Sequence, residues 1–367
     1  MHRITRVIRA SLTPAVAGEP LHAGPVFAAP FHTPGDPAAA PYTYARSHNP
    51  GWTELEAAIA AMEHPGSHVR IFSSGMAAVA AVFGAVLRPG DIVVIPDNAY
   101  FGARTLLTGY FGEMGVVTRT VPTAELQDHL ADARLLWLET PSNPTLEISD
   151  IAALSQRAHR AGALVAVDNT TATAFGQSPL TLGADLSVAS DSKAMTGHSD
   201  LLLGHVACTD RELLAAIDGF RTLHGAIVGP MEAWLAMRSL ATLPLRLERT
   251  CANAQTIASF LTTRPEVSDV LYPGLLQHPG HFIAARQMTH FGPVLGFTLP
   301  TQQVAENFLR RTQLITEATS FGGVLTTAER RARWGHDDIA PGFIRMSAGC
   351  EHIGDLIGDI TQALEAE

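Results

Sequence analysis

Apolar runs at 92–95, 135–138, 164–167, 186–189 and 206–208 alternate along the chain with stretches of helical spacing. Runs this short, bounded by turn residues and separated by amphipathic segments, predict buried strands of a mainly parallel sheet covered by helices. Trp52, Leu55, Ile59 and Met62 recur at helical intervals, and Met76, Val79, Ala80 and Phe83 repeat the pattern after Gly75, so two helices are expected there. Before them, the run from 33 to 41 holds three prolines, each without an amide donor and restricting the residue before it. It predicts an extended arm without regular structure. After Gly229 and Pro230 one long helical stretch is expected to about Leu261, followed by strand-like 294–299 and a terminal helix over 353–364. The expected organisation is an arm over 1–48, an α/β domain over 49–235 and a smaller α+β domain over 236–367.

Composition narrows the class. Hydrophobic residues make up 46% of the 367 residues and charged ones 16%, which favours a compact folded protein over a disordered one. The formal charge of −10, without a basic run, argues against nucleic acid or an anionic membrane as partner. Three scattered cysteines, Cys208, Cys251 and Cys350, suggest neither a disulfide framework nor a zinc knuckle. With no apolar stretch long enough to span a bilayer, the expectation is a cytoplasmic protein.

Candidate chemistry sits at the ends of the apolar runs. Small residues at Ser73-Ser74-Gly75-Met76 close one run and open a helix, a junction whose free amides suit a phosphate, although a plain serine cap explains it equally. Asp168 ends another run, where α/β sheets place ligand-binding residues or helix caps. Ser190-Asp191-Ser192-Lys193 directly follows 186–189. Two hydroxyls beside an amine can hold a phosphate while the amine condenses with an aldehyde, although a lone lysine is more often a solvated surface residue. Dinucleotide, phosphate-loop and nucleophile-elbow motifs are absent. His278 and His281 flank Pro279-Gly280 with no Cys or carboxylate ligand nearby, so a polar loop is expected there and no metal.

In this order the residues match a known pattern. Tyr-Ala-Arg-Ser-His-Asn-Pro from Tyr44, Ser-Ser-Gly-Met from Ser73, Glu-Thr-Pro-Ser-Asn-Pro from Glu139 and Val-Asp-Asn-Thr from Val167 come first. Ser-Asp-Ser-Lys from Ser190, Gly-His-Ser-Asp from Gly197 and Arg-Met-Ser-Ala-Gly-Cys-Glu from Arg345 follow. From about Tyr42 onward the chain resembles the Cys/Met-metabolism group of pyridoxal-phosphate enzymes, which includes cystathionine γ-lyase, γ-synthase and β-lyase and methionine γ-lyase. The resemblance implies the aspartate aminotransferase-like fold (fold type I), with pyridoxal 5'-phosphate as cofactor. It implies that Lys193 carries the cofactor as an imine and shuttles protons, that Asp168 pairs with the pyridine nitrogen, that Tyr100 stacks on the ring and that Asn143 meets its phenolic oxygen.

The same resemblance places the phosphate on Gly75, Met76, Ser190 and Ser192, with Tyr44 and Arg46 arriving from a neighbouring subunit of a homotetramer. Arg345 is implied to grip the substrate α-carboxylate, with Ser320 and Tyr100 beside the substrate. Some positions depart from the group's commoner residues. Thr319 stands where many γ-lyases and γ-synthases carry glutamate and β-lyases tyrosine, no cysteine lies near Phe101 as in methionine γ-lyases, and His48, Gly51, Ala194 and Phe321 also differ. The segment Thr-Ala-Glu-Arg-Arg from Thr327 resembles a bacterial γ-lyase branch. The expected reaction is γ-elimination on a sulfur amino acid, cystathionine foremost. The alternatives are γ-replacement on an O-acyl-homoserine, then β-lyase or methionine γ-lyase activity, and outside catalysis a cofactor-binding regulatory or scaffold protein.

Overall fold

The computed structural model describes residues 2–365. Seven strands form the central sheet: β1 (His68–Phe72), β2 (Ile92–Pro96), β3 (Val117–Val121), β4 (Ala133–Glu139), β5 (Leu164–Asp168), β6 (Leu186–Ala189) and β7 (Gly204–Cys208). Their spatial order is β1-β7-β6-β5-β4-β2-β3, and only β7 runs antiparallel to its neighbours. Each run read as a strand from the sequence lies in one of these. The sequence pattern did not flag β1 or β3. In β3 the apolar ends enclose Thr-Arg-Thr, because it is an edge strand with its first residue exposed.

A second sheet follows in the order β10-β11-β12-β9-β8, built from β8 (Ser268–Leu271), β9 (Val294–Thr298), β10 (Thr316–Glu317), β11 (Thr327–Arg330) and β12 (Phe343–Ser347). The chain is therefore α/β, with a mainly parallel central sheet. Its helices pack on both faces of that sheet. The helix Gly75–Val86 lies in one core with Phe72, Val188 and Val206, and the helix Pro50–Glu63 lies in the other with Ile71 and Ala207. Neighbouring residues of one strand thus feed opposite layers, as the two-residue period of a strand requires.

Two expectations about regular structure are corrected. The stretch beyond Pro230 is not one helix but two, Pro230–Leu240 and Leu243–Leu261. Pro244 lacks an amide hydrogen and its ring would clash with the carbonyl four residues back, so the first helix ends before it and a new one starts with proline in its first turn. The arm is not wholly irregular either. Pro37–Ala39 makes one tight helical turn capped by Asp36, and a helix at Arg3–Arg9 buries Val7 against the core. Among the described residues no helix is long and apolar enough to cross a membrane.

Candidate active site

The carboxyl ends of β5 and β6 and the start of the helix Gly75–Val86 converge on one cavity of about 150 Å³. It is lined by Gly75, Met76, Tyr100, Asp168, Ser190, Ser192 and Lys193 among others. Ser74 caps the helix, its hydroxyl accepting from the amide of Ala77 at 3.1 Å, while Gly75 and Met76 sit in the first turn, where helical amides have no partner within the helix. Serine cap and phosphate-type cradle therefore coexist. Gly75 admits no side chain, because a Cβ there would lie 2.5 Å from that of Ser190. This close approach brings the helix start to the lysine turn.

Asp168 ends β5 with its carboxylate accepting from the hydroxyl and amide of Thr170 at 2.6 and 3.0 Å. It caps no helix. The Thr170 hydroxyl in turn accepts from the amide of Ser190 at 2.8 Å, so a single threonine joins the aspartate to the lysine turn. Burial raises the Asp168 pKa, opposed by the two Thr170 bonds and by the positive charges of His205 and Lys193. The Ser192 hydroxyl donates to the carbonyl of Leu203 and accepts from its amide, so this side chain lines the cavity with its proton already committed.

Burial lowers the Lys193 pKa, and the neighbouring Arg345 lowers it further, against the pull of Asp168. The amine lies 5.6 Å from the centre of the Phe321 ring, and the Arg345 guanidinium lies 5.3 Å from the same ring. One aromatic side chain thus spaces the two cations. Lysine occurs only at position 193 in the whole chain, every other one of the 25 Lys and Arg residues being arginine. That count separates it from an ordinary surface lysine and was available from the sequence, yet motif reading passes over it.

A second cavity of about 270 Å³ adjoins the first, and Tyr100 lines both. Its walls include Phe101, Asn143, Thr319, Ser320, Trp334, His336 and Arg345. Arg345 donates to Asn143 Oδ1 at 2.7 Å, to the Ser320 carbonyl at 2.7 Å and to Glu329 at 2.5 Å. With its oxygen so occupied, the Asn143 amide turns its NH₂ group away from Arg345. Ser320 takes a left-handed backbone with φ of 77°, a conformation serine seldom adopts, and this aims its carbonyl at the guanidinium.

Glu329 is fully buried beside Arg345, its register partner across β11 and β12. Burial works against its charge, but Arg345, Trp334 and Arg331 together hold it below the ordinary carboxylate range. Sequence reading missed it, since only the strand pairing sets it opposite Arg345. Glu139 was also missed as an individual residue. It ends β4, and its carboxylate accepts from the amides of Tyr100 at 2.5 Å and Asn143 at 3.0 Å. Its position at a strand end, like that of Asp168, was the available signal.

Tyr44 and Arg46 are not brought to Lys193 within the chain. Tyr44 is 48% exposed, and Arg46 packs over its ring and donates to the carbonyl of Thr222. His278 accepts from the amide of Gly280, and the His281 ring hydrogen-bonds the carbonyl of Pro273.

The amine, the strand-end carboxylate and the helix-start amides share one cavity, and the arginine fork stands in the cavity adjoining it across Tyr100, an arrangement that suits an enzyme site for pyridoxal phosphate. The residues fit that group: the Gly75 cradle and Ser190 suit its phosphate, Lys193 its aldehyde and Asp168 its ring nitrogen. Residues 19–365 match the family model described as Cys/Met metabolism PLP-dependent enzyme, and the chain belongs to that family. A Streptomyces coelicolor protein, provisionally named cystathionine gamma-lyase, is 51% identical over 98% of this chain and 93% of its own. A Mycobacterium bovis protein named cystathionine gamma-synthase is 42% identical over 88% of this chain and 86% of its own. The crystal structure of apo CalE6, titled a methionine gamma lyase from Micromonospora echinospora, superposes with a TM-score of 0.93 at 35% identity, covering 99% of each chain. The fold is that of these enzymes, and the chain is a pyridoxal-phosphate-dependent enzyme of sulfur amino-acid metabolism.

Proposed function

We propose that this enzyme catalyses γ-elimination on cystathionine, consuming one water and releasing cysteine, 2-oxobutyrate and ammonia. The observation that carries the proposal is the placement of Lys193 and Arg345 beside the one ring of Phe321, which sets a base in one cavity close to a carboxylate anchor in the cavity adjoining it. When bound, pyridoxal phosphate supplies an aldehyde for the amine and a ring that delocalises the electrons of a broken Cα–H bond. Lys193 holds it, with Gly75, Met76 and Ser190 toward the phosphate, Asp168 toward the ring nitrogen and the Asn143 amide toward the phenolic oxygen.

Arg345 binds the substrate α-carboxylate through the N–H groups that Asn143, the Ser320 carbonyl and Glu329 leave free. Its orientation is fixed by those partners. The Lys193 amine, inclined to neutrality by its burial, takes the proton from Cα and then serves Cβ, as a single mobile base can. Burial raises the Tyr100 pKa, and the charge of Glu139 adds to this, so its phenol keeps its proton for the departing sulfur. The whole-length likeness to the Streptomyces protein supports a γ-lyase over the other reactions of the family. Tyr44 and Arg46, exposed on the arm, are assigned to the neighbouring subunit's phosphate in a homotetramer.

A second reading, γ-replacement on an O-acyl-homoserine, draws support from Thr319. The cavity there offers Phe101, Trp334 and a hydroxyl, where the distal ammonium of cystathionine would need a carboxylate. A substrate panel on purified, cofactor-loaded enzyme separates the two. Formation of 2-oxobutyrate from cystathionine alone supports the lyase. Pyruvate as the only keto acid overturns γ-elimination, and cystathionine made from ester plus cysteine without keto acid establishes the second reading.

A further inference from the structure

Ser190 and Ser192 line the cofactor cavity, but Asp191 between them is fully buried with its carboxylate on His205. The distances from His205 Nδ1 to the two carboxylate oxygens are 2.9 and 2.8 Å. The other ring nitrogen lies 2.9 Å from Glu63 Oε1, which also accepts from the Ser187 hydroxyl at 3.0 Å. None of the three ionisable side chains has any exposed area. His205 shares its sheet face with Ala207, toward the helix Pro50–Glu63, so the cluster lies on the side where that helix packs.

Both ring nitrogens meet carboxylate oxygens, and a neutral imidazole has only one N–H to give. The ring is therefore held as an imidazolium. Burial opposes that charge, but Asp191 and Glu63 lift the pKa to about 10. Glu63 Oε2 has no hydrogen-bond partner. The other charges facing the cluster are Arg3, from the helix Arg3–Arg9, and Asp168, from β5. As packing alone, such a trio is a poor choice, because desolvating three charges costs more than filling the space with apolar side chains.

Its location supplies a better reason. Asp191 stands two residues before Lys193, and its carbonyl accepts from the amide of Thr196 at 3.1 Å and its hydroxyl at 2.8 Å, closing the turn that carries the lysine. Asp168 pairs with Val188 on β6, and the next residue, Ala189, pairs with His205 on β7. The imidazolium is thus about two strand spacings, ~10 Å, from the Asp168 position. We propose that Asp191, His205 and Glu63 are positioning residues of the cofactor site, anchoring the lysine turn from beneath and keeping a positive charge behind Asp168. The proposal rests on the roles assigned above to Lys193 and Asp168.

The test titrates cofactor-free protein with pyridoxal phosphate and reads the dissociation constant and the pH midpoint of the visible band of lysine-bound cofactor. Borohydride reduction of the wild-type complex, followed by peptide mapping, checks the underlying site on its own, since the chain has one lysine. Asp191→Asn keeps an oxygen for His205 and is expected to bind cofactor within about threefold of wild type, the range of a retained hydrogen bond. Asp191→Ala is expected to bind about tenfold or more weakly, a loss on the scale of one hydrogen bond to a charged group. It should also displace the band midpoint by about one pH unit, the effect of a unit charge at this range under an effective dielectric near 20.

The combined variant Glu63→Met, His205→Leu, Asp191→Ala fills the space without charge and is expected to fold with the same cofactor defects. Wild-type affinity and midpoint in both alanine-bearing variants, with only the melting temperature changed, would show a structural trio and sink the proposal. Failure of both to fold without cofactor would also overturn it, because the trio would then hold the fold and not the site. Absence of a reduced Lys193 adduct in wild type refutes the site assignment separately.

Discussion

Glu139 and Asp168 are register partners at the carboxyl ends of the adjacent parallel strands β4 and β5, and both side chains are buried. Their tasks differ. Asp168 lines the cofactor cavity, whereas Glu139 spends its two oxygens on the amides of Tyr100 and Asn143. Burial and the nearby Asp168 push the Glu139 pKa well above the usual carboxylate range, against the pull of those two amides. Glu139 is thus the bracket that holds one residue from each of two loops over the cavity.

Replacing Glu139 by alanine leaves two amides without their acceptor. The expected cost is about 2–3 kcal/mol of stability together with at least about a tenfold fall in kcat/KM, as Tyr100 and Asn143 lose their placement. Glutamine retains an acceptor oxygen and relieves the like charge beside Asp168, so its melting temperature should stay near wild type. Thermal melts and steady-state kinetics on the two variants check this, and equal losses in both would contradict the bracket.

Asp168→Asn removes the charge proposed above to face the ring nitrogen while keeping the hydrogen-bonding shape at Thr170. Cofactor should still bind, because the phosphate contacts and Lys193 remain. Turnover should drop by about a hundredfold or more, the scale of losing one electrostatic stabiliser in a buried site. Bound cofactor measured by absorbance, set against kcat, reads the two effects separately.

Arg345→Lys tests the planar fork. Lysine cannot reproduce the simultaneous bonds to Asn143, the Ser320 carbonyl and Glu329, and it grips a carboxylate through one point. The expected result is a rise in KM of about tenfold or more with a smaller change in kcat, as a single charge-assisted bond is lost. A fall confined to kcat would point away from carboxylate binding.

The pH dependence of stability follows from His205. Its pKa is raised from 6.5 in the unfolded chain to about 10 in the fold, so folding takes up a proton between those values. The stabilisation is fully present below about pH 6.5 and is lost as pH rises through about 10. Wild type should therefore melt at progressively lower temperature over that window. The combined Glu63→Met, His205→Leu, Asp191→Ala variant should lose this decline, and an identical slope in both proteins would remove His205 as its cause.

Thr319 lines the cavity with Phe101, Trp334 and His336 and is exposed. Thr319→Glu adds a carboxylate where the distal ammonium of cystathionine would reach. It should lower KM for cystathionine about threefold to tenfold, the worth of a partly solvated ion pair, and leave methionine unaffected. Parallel kinetics with the two substrates decide the matter.

Much of this protein was legible without coordinates, because local chemistry announces itself locally. Five strands of the central sheet show as short apolar runs, with Asp168 ending one and the Ser190–Lys193 turn directly following another, where backbone direction alone makes them candidates. The break at Thr242 was hidden, since Leu243 and Leu247 continue the apolar spacing past Pro244. The edge strand β3 was hidden for the opposite reason, its middle being polar.

The sequence by itself determined which groups are present: the single lysine, the strand-end carboxylates and the glycine that lets a helix start approach Ser190. Only the tertiary structure decided which of them meet. Glu63 and His205 are 142 residues apart in the chain, and Asn143 and Arg345 are 202 apart, yet each pair lies within hydrogen-bond distance. Strand order and register make those encounters. A buried carboxylate or imidazole has its charge set by the partner opposite it, and no periodicity along the chain carries that information.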